Sequence, residues 1–232
     1  MYAISLTSIP PRFSRLGPVL AALLAQRPAP ARVFLALPAQ YSRYPGPVAP
    51  PPLPDGVTLL HSNTDLGPAT KALPAAGALA GTDLRLIYCD DDWLYAPGWA
   101  AQLLTRGEEA TTGQAWDIAR LGRTGTGTDI AQGFAGVCIR PAWLAAPDMT
   151  PPPEARPVDD IWLSGQLARH GIPLRARPSA RQQMRPAYDD AHALQHTTAR
   201  DTANRACAAR LHALYGIWPE PPAPRTARAA RS

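Results

Sequence analysis

Lysine is almost absent from this chain: of 23 basic residues only Lys71 is a lysine, and the rest are arginines. With Ala, Pro and Gly all plentiful, the bias reads as coding preference rather than a surface made for nucleic acid. The net charge of +5 comes with no recognised nucleic-acid motif. Cysteine is scarce as well. Cys89, Cys138 and Cys207 are scattered, odd in number and lack paired metal-ligand spacing. That excludes a disulfide scaffold or zinc cluster and suits reduced thiols in a cytoplasmic protein. No apolar run approaches the roughly 20 residues of a membrane span. The opening MYAISLTSIPPRF also lacks the basic start and apolar stretch of a secretion signal. Membrane contact is therefore expected to be peripheral at most.

What the chain does have is concentrated at residues 84–92, LRLIYCDDD. Leu84, Leu86, Ile87 and Tyr88 suit a strand buried on both faces. It ends in three consecutive carboxylates, Asp90, Asp91 and Asp92, which repel one another without a cation or firm hydrogen bonds. Parallel sheets bind ligands beyond the carboxyl ends of their strands. A divalent ion carrying phosphate oxygens accounts for both the charge and the position. The same residues also suit an acidic turn with an aspartate capping the next helix.

Short strands alternate with helices through the first half. Strands are expected over 2–9, 33–37, 57–60 and 84–89, with helices over 16–26 and 71–79. The proline-rich segment 38–54 is a long loop. Further on, helices are expected over 99–104, 161–169 and 201–215, and strands over 117–121 and 134–139. The pattern predicts an α/β protein with a doubly wound, mostly parallel sheet and helices on both faces. One domain is expected over 1–218. A Pro/Arg-rich tail at 219–232 lacks periodicity and reads as disordered.

Four elements follow in order: SLTSIPPRF after the first strand, DLGPATK after the third, CDDDW after the fourth, and VDDIWLSGQL at a helix start. This layout resembles bacterial glycosyltransferases of the GT-A fold, near the large family 2, across about residues 2–175. The resemblance implies a metal-dependent transfer of a sugar from a nucleotide-diphosphate donor, a UDP-sugar above all, to a hydroxyl of a glycan or other acceptor. It places Thr7, Ser8, Pro10 and Arg12 around the nucleotide. Asp65 falls on base or ribose, and Lys71 on the diphosphate. Asp90 goes to ribose or metal, Asp91 to the donor-binding set, and Asp92 to direct coordination of Mn²⁺ or Mg²⁺. His196 is the candidate for a further, late metal ligand, with His192 its neighbour. Asp160 is the candidate base that deprotonates the acceptor, with Asp159 orienting it or binding acceptor. The glycine-containing stretch Gly133–Arg140 resembles the segment lining the acceptor region.

Each motif also has a plainer reading. The first loop can be an ordinary strand-to-helix connection, DLGPATK a turn with a surface lysine, and the acidic pair a helix cap favoured by the macrodipole. Two other functions share parts of the pattern. A nucleotidyltransferase uses the same sheet and metal chemistry, though TSIPPRF lacks a glycine-rich phosphate loop. A catalytically inactive module that binds nucleotide-sugar or glycan is the other.

Overall fold

The computed structural model describes residues 1–188 and 200–222. In chain order the elements are β1 (Tyr2–Leu6), α1 (Leu16–Leu24), β2 (Arg32–Pro38), β3 (Val57–Ser62), α2 (Leu73–Leu79), β4 (Arg85–Cys89) and β5 (Trp93–Tyr95). Then come α3 (Trp99–Leu103), β6 (Ala110–Thr112), β7 (Ala115–Trp116), β8 (Ile130–Ala131) and β9 (Val137–Ile139). The chain closes with α4 (Asp159–Arg169), β10 (Leu174–Ala176), α5 (Pro178–Arg181), β11 (Met184–Pro186) and α6 (Arg200–Tyr215).

Seven strands form one sheet in the order β10-β6-β9-β4-β1-β2-β3. All neighbours run parallel except β9, which is antiparallel to both β4 and β6. Side-chain alternation explains why helices cover both faces. Tyr2, Ile4 and Leu6 pack with Val33, Leu35, Ile87 and the apolar stripe Leu16, Val19, Leu20 and Leu23 of α1. Ala3, Phe34, Leu86 and Tyr88 point the other way, into a core shared with α2, α4 and α6. The predicted doubly wound sheet is therefore observed.

The strand order also fixes where a ligand can bind. From β1 the chain moves outward to β2 and β3, then returns to lay β4 on the other side of β1. The loops leaving β1 and β4 consequently part company, opening a crevice at their carboxyl ends. Because β9 is antiparallel, its beginning lies beside the end of β4, with Val137 opposite Tyr88. That register carries the turn before β9 to the same crevice.

Three expectations need correction. Residues 117–121 are not a strand: Asp117 caps a 3₁₀ turn, Ile118–Leu121, by accepting a hydrogen bond from the Ala119 amide at 2.7 Å. Lys71 does not open a helix. It ends the 3₁₀ turn Gly67–Lys71, and α2 begins only at Leu73, with Pro74 in its first turn, where proline's missing N–H costs nothing. The tail does not leave the domain at 219. Trp218 is buried, the Thr124 amide donates to the Pro219 carbonyl at 2.7 Å, and Arg123 lies 3.8 Å from Glu220. The rest of the expected tail, from 223, is outside the described residues.

Candidate active site

The crevice holds a cavity of about 250 Å³ lined by Thr7, Ser8, Ile9, Arg12, Asp65, Lys71, Asp90, Asp91, Asp92, Asp159 and Asp160, among others. Four segments far apart in sequence meet here, each from the carboxyl end of a strand or the start of a helix.

The loop after β1 is pinned by Asp91. Its carboxylate accepts a hydrogen bond from Ser8 Oγ and an ion-paired hydrogen bond from Arg12 Nη1 at 2.5 Å. Burial pushes the Asp91 carboxyl above its ordinary range, against the opposing pull of Arg12 and Ser8. Asp91, expected among the donor-binding residues, is thus turned to the loop and clips β1 to β4. Arg12 also reaches Asp92, with Nη2 at 3.7 Å. Thr7 Oγ1 donates to the Ala36 carbonyl at 2.7 Å. Pro10 does not line the cavity. It starts the 3₁₀ turn Pro10–Arg15, and Ile9 takes its place on the wall.

Asp65 clips two loops together. Its Oδ2 accepts from the Ser42 amide at 2.7 Å and its Oδ1 from the Gly67 amide at 2.9 Å. The first bond draws the proline-rich loop over the cavity, bringing Tyr41, Arg43 and Tyr44 to its rim. The Tyr41 hydroxyl donates to the Ser8 carbonyl at 3.0 Å, and its ring meets Tyr44 edge-on with centroids 6.1 Å apart. The motif reading missed these residues. Two tyrosines three apart in an otherwise Pro/Ala-rich loop are the signal that could have found them.

Lys71 is the least expected part. Its side chain is only 3% exposed, and its ammonium lies 2.5 Å from Asp90 Oδ1 and 2.8 Å from Asp159 Oδ2. Burial alone would lower its pKa, but Asp159, Asp90 and Asp160 outweigh that and hold it well above the ordinary value. A lysine extended toward a diphosphate does not describe this geometry. The ammonium instead bridges the end of β4 to the start of α4.

Asp160 sits in the first turn of α4, where its Oδ1 accepts the Gly133 amide hydrogen at 2.9 Å. Burial first and Asp159 second push its pKa up to about 7, with Lys71 opposing. Gly133 belongs to the stretch expected to line the acceptor region, and its absent side chain matters. A Cβ there would overlap Lys71 Nζ and lie 3.1 Å from Asp160 Oδ1. Opposite stands an aromatic wall: Trp93 and Phe134 lie 5.0 Å apart, with the Arg181 guanidinium over both rings.

The donor set suits a hard divalent ion. Six carboxylates (Asp65, Asp90, Asp91, Asp92, Asp159 and Asp160) and four cations (Arg12, Arg43, Lys71 and Arg200) line one cavity. The raised Asp160 pKa comes first from burial and then from the neighbouring carboxylate of Asp159. Among the described residues no three His, Cys, Asp or Glu side chains form a metal cage. Mg²⁺ typically takes one or two protein carboxylates together with substrate phosphates. Oxygen-only ligands favour Mn²⁺ or Mg²⁺ over zinc or copper. Asp92 and Asp90, the carboxylates expected to hold such an ion, both line the cavity. His192 and His196 lie outside the described residues.

No protein-family model and no curated protein matches the sequence. Solved structures do match the fold. A galactosyltransferase, LgtC, in complex with donor and acceptor sugar analogues, is similar over 95% of this chain and 97% of its own, with a TM-score of 0.51 and 12% identity. Glucosyl-3-phosphoglycerate synthase from Mycobacterium tuberculosis, in complex with Mn²⁺, UDP and glucosyl-3-phosphoglycerate, is similar over 94% of this chain and 80% of its own. Its TM-score is 0.53 and its identity 11%. The chain therefore has the fold seen in GT-A glycosyltransferases, as the motif order implied.

Proposed function

We propose that this protein is a divalent-metal-dependent glycosyltransferase that moves a sugar from a nucleoside-diphosphate donor, most simply a UDP-sugar, to a hydroxyl acceptor. One observation carries the reading. Asp160 lies on the seam between the strand-end cavity and a second cleft lined by Trp116, Arg120, Arg200 and Arg205. A carboxylate in that position faces donor on one side and acceptor on the other. The fold shared with LgtC, solved with donor and acceptor sugar analogues, and with glucosyl-3-phosphoglycerate synthase, solved with UDP and Mn²⁺, supports the same reading.

In this account the nucleotide enters between the loop after β1 and the tyrosines of the proline-rich loop. The Asp91 clip gives that loop its shape, and Arg12 adds positive charge beside the phosphates. Asp92 and Asp90 would hold the ion, which when bound would supply Lewis-acid neutralisation of charge on the departing diphosphate. Asp160 takes the proton of the acceptor hydroxyl as its oxygen attacks the anomeric carbon. The bond from that carbon to the phosphate oxygen breaks, and the nucleoside diphosphate leaves. A base with a pKa near 7 suits this step, because it is ionised when needed yet basic enough to accept a proton. Lys71 keeps Asp159 and Asp90 together rather than touching donor. The free, buried cysteines agree with a reducing compartment such as the cytoplasm. Among the described residues no helix is long and apolar enough to cross a membrane.

Replacing Asp160 by asparagine preserves shape and removes the base. Slow donor hydrolysis, with water as acceptor, is expected to fall by roughly 10²–10⁴-fold while Mn²⁺-dependent UDP binding stays intact. Release of UDP from UDP-glucose and UDP-galactose reads the first quantity, and calorimetric titration the second. Equal loss of both would assign Asp160 to structure instead of catalysis.

A further inference from the structure

The second cleft, of about 400 Å³, shares Gln132, Asp160 and Arg200 with the donor cavity and opens on the other side of the candidate base. Its charges are unlike those of the donor side. Arg120, Arg200 and Arg205 line it against only Asp160 and Asp201. Several other surface arginines are neutralised locally: Arg140 pairs with Glu108, Arg169 with Asp148, and Arg175 and Arg177 with Glu109. Arg120 and Arg200 have no carboxylate within ion-pair reach among the described residues. Arg120 is fixed instead by the Trp116 ring, with its guanidinium 5.9 Å from the centroid. Arg205 is fixed by donating to the Leu121 carbonyl at 3.1 Å. Three guanidiniums, two of them held by neighbouring groups, therefore border a cleft that ends at Asp160, with the Asn204 amide beside them.

Guanidinium groups recognise phosphate through paired, parallel hydrogen bonds that are stronger than neutral ones. An uncharged sugar acceptor has no use for three of them. We propose that the acceptor carries a phosphate monoester, bound by Arg120, Arg200 and Arg205, which sets one of its hydroxyls against Asp160. This rests on the transferase reading for the role of Asp160. The anion site itself stands on the cleft alone.

The test is inorganic phosphate, titrated by thermal shift in chloride buffer of matched ionic strength. It is run on the whole chain, alone and with saturating UDP and Mn²⁺ so that any phosphate site on the donor side is filled. Phosphate is expected to raise the melting temperature in both settings. Arg120→Gln, at an exposed position that lines only the second cleft, is expected to weaken phosphate binding about tenfold and leave the UDP shift unchanged. Arg205→Gln, at a position that also lines only the second cleft, gives a second, independent loss. A phosphate shift that is absent, or undiminished in both variants, overturns the proposal whether or not UDP binds. A missing UDP shift beside an arginine-dependent phosphate shift counts against the transferase reading while the anion site stands. Two further probes separate the sources of the phosphate. Glycerol 3-phosphate that competes with inorganic phosphate assigns a small soluble acceptor. Arg120-dependent co-sedimentation with phosphatidylcholine vesicles containing phosphatidic acid assigns a lipid phosphate.

Discussion

Replacing Lys71 by methionine is expected to destabilise the protein by about 3–5 kcal/mol, although the two side chains are similar in length and no large cavity results. The loss is electrostatic. The ammonium is almost wholly buried and lies 2.5 Å from Asp90 and 2.8 Å from Asp159. Without it, Asp159, Asp160 and Asp90 face one another with no cation among them. For a chain of this size the deficit corresponds to a fall in melting temperature of roughly 6–20 °C. Its pH dependence identifies the cause. Asp160 already has a folded-state pKa of about 7, above its unfolded value, and losing Lys71 removes the group that opposes that rise. A carboxyl whose folded pKa lies above its unfolded one binds more protons when folded. Its favourable share of stability is therefore complete below the unfolded pKa and disappears as pH rises through the folded one. The Lys71→Met deficit should be largest at about pH 8 and shrink toward about pH 5. A melting temperature equal to wild type at high pH, or a deficit independent of pH, contradicts the bridging role.

The second large effect is expected from one carbon. Gly133→Ala places a Cβ against Lys71 Nζ, 2.8 Å from its Cε and 3.1 Å from Asp160 Oδ1. Gly133 has an ordinary backbone conformation, since it is not among the residues with positive φ, so strain at alanine itself is not the reason. A flexible lysine tip normally steps aside at little cost. Here stepping aside breaks the contact with Asp159 or lengthens the hydrogen bond from the Gly133 amide that orients Asp160. Displacing a catalytic group by about 1 Å can cost on the order of 10²-fold in rate. UDP release from the sugar donor should fall by that factor, while UDP affinity changes several-fold at most. Gly17→Ala is the control, because nothing lies within 4 Å of its added methyl. Wild-type turnover in Gly133→Ala would remove Gly133 from the machinery that positions the base.

Much of the fold was readable because it depends on local patterns. The short apolar runs YAISL and RLIYC and the stripe Leu16, Val19, Leu20 and Leu23 located strands and helix to within a few residues. The carboxylates after β4 and at the start of α4 could be located for the same reason, as each follows directly from an element's end. What the sequence hid is contact across the chain. Nothing near Asp91 indicates that it closes on Ser8 and Arg12, some eighty positions earlier, instead of a ligand. Nothing near Lys71 shows that Asp159 will claim its ammonium, because that pairing depends on α4 docking beside the 3₁₀ turn. The arginines of the second cleft come from a turn at 118–121 read as a strand and from the start of α6. Their convergence is a property of the packed molecule. The short turn was misread for a physical reason: Asp117 satisfies the Ala119 amide with its own side chain and removes the need for a strand partner.

The central claim is that the strand-end carboxylates hold a nucleoside diphosphate through a divalent ion. Isothermal titration of UDP into the protein, with Mn²⁺ and with chelator, tests it most directly, with Asp92→Ala beside the wild type. The account predicts binding with Mn²⁺, none with chelator, and none in Asp92→Ala even though that variant melts within a few degrees of wild type. Equal UDP affinity with and without metal, or no binding in either condition, would contradict it.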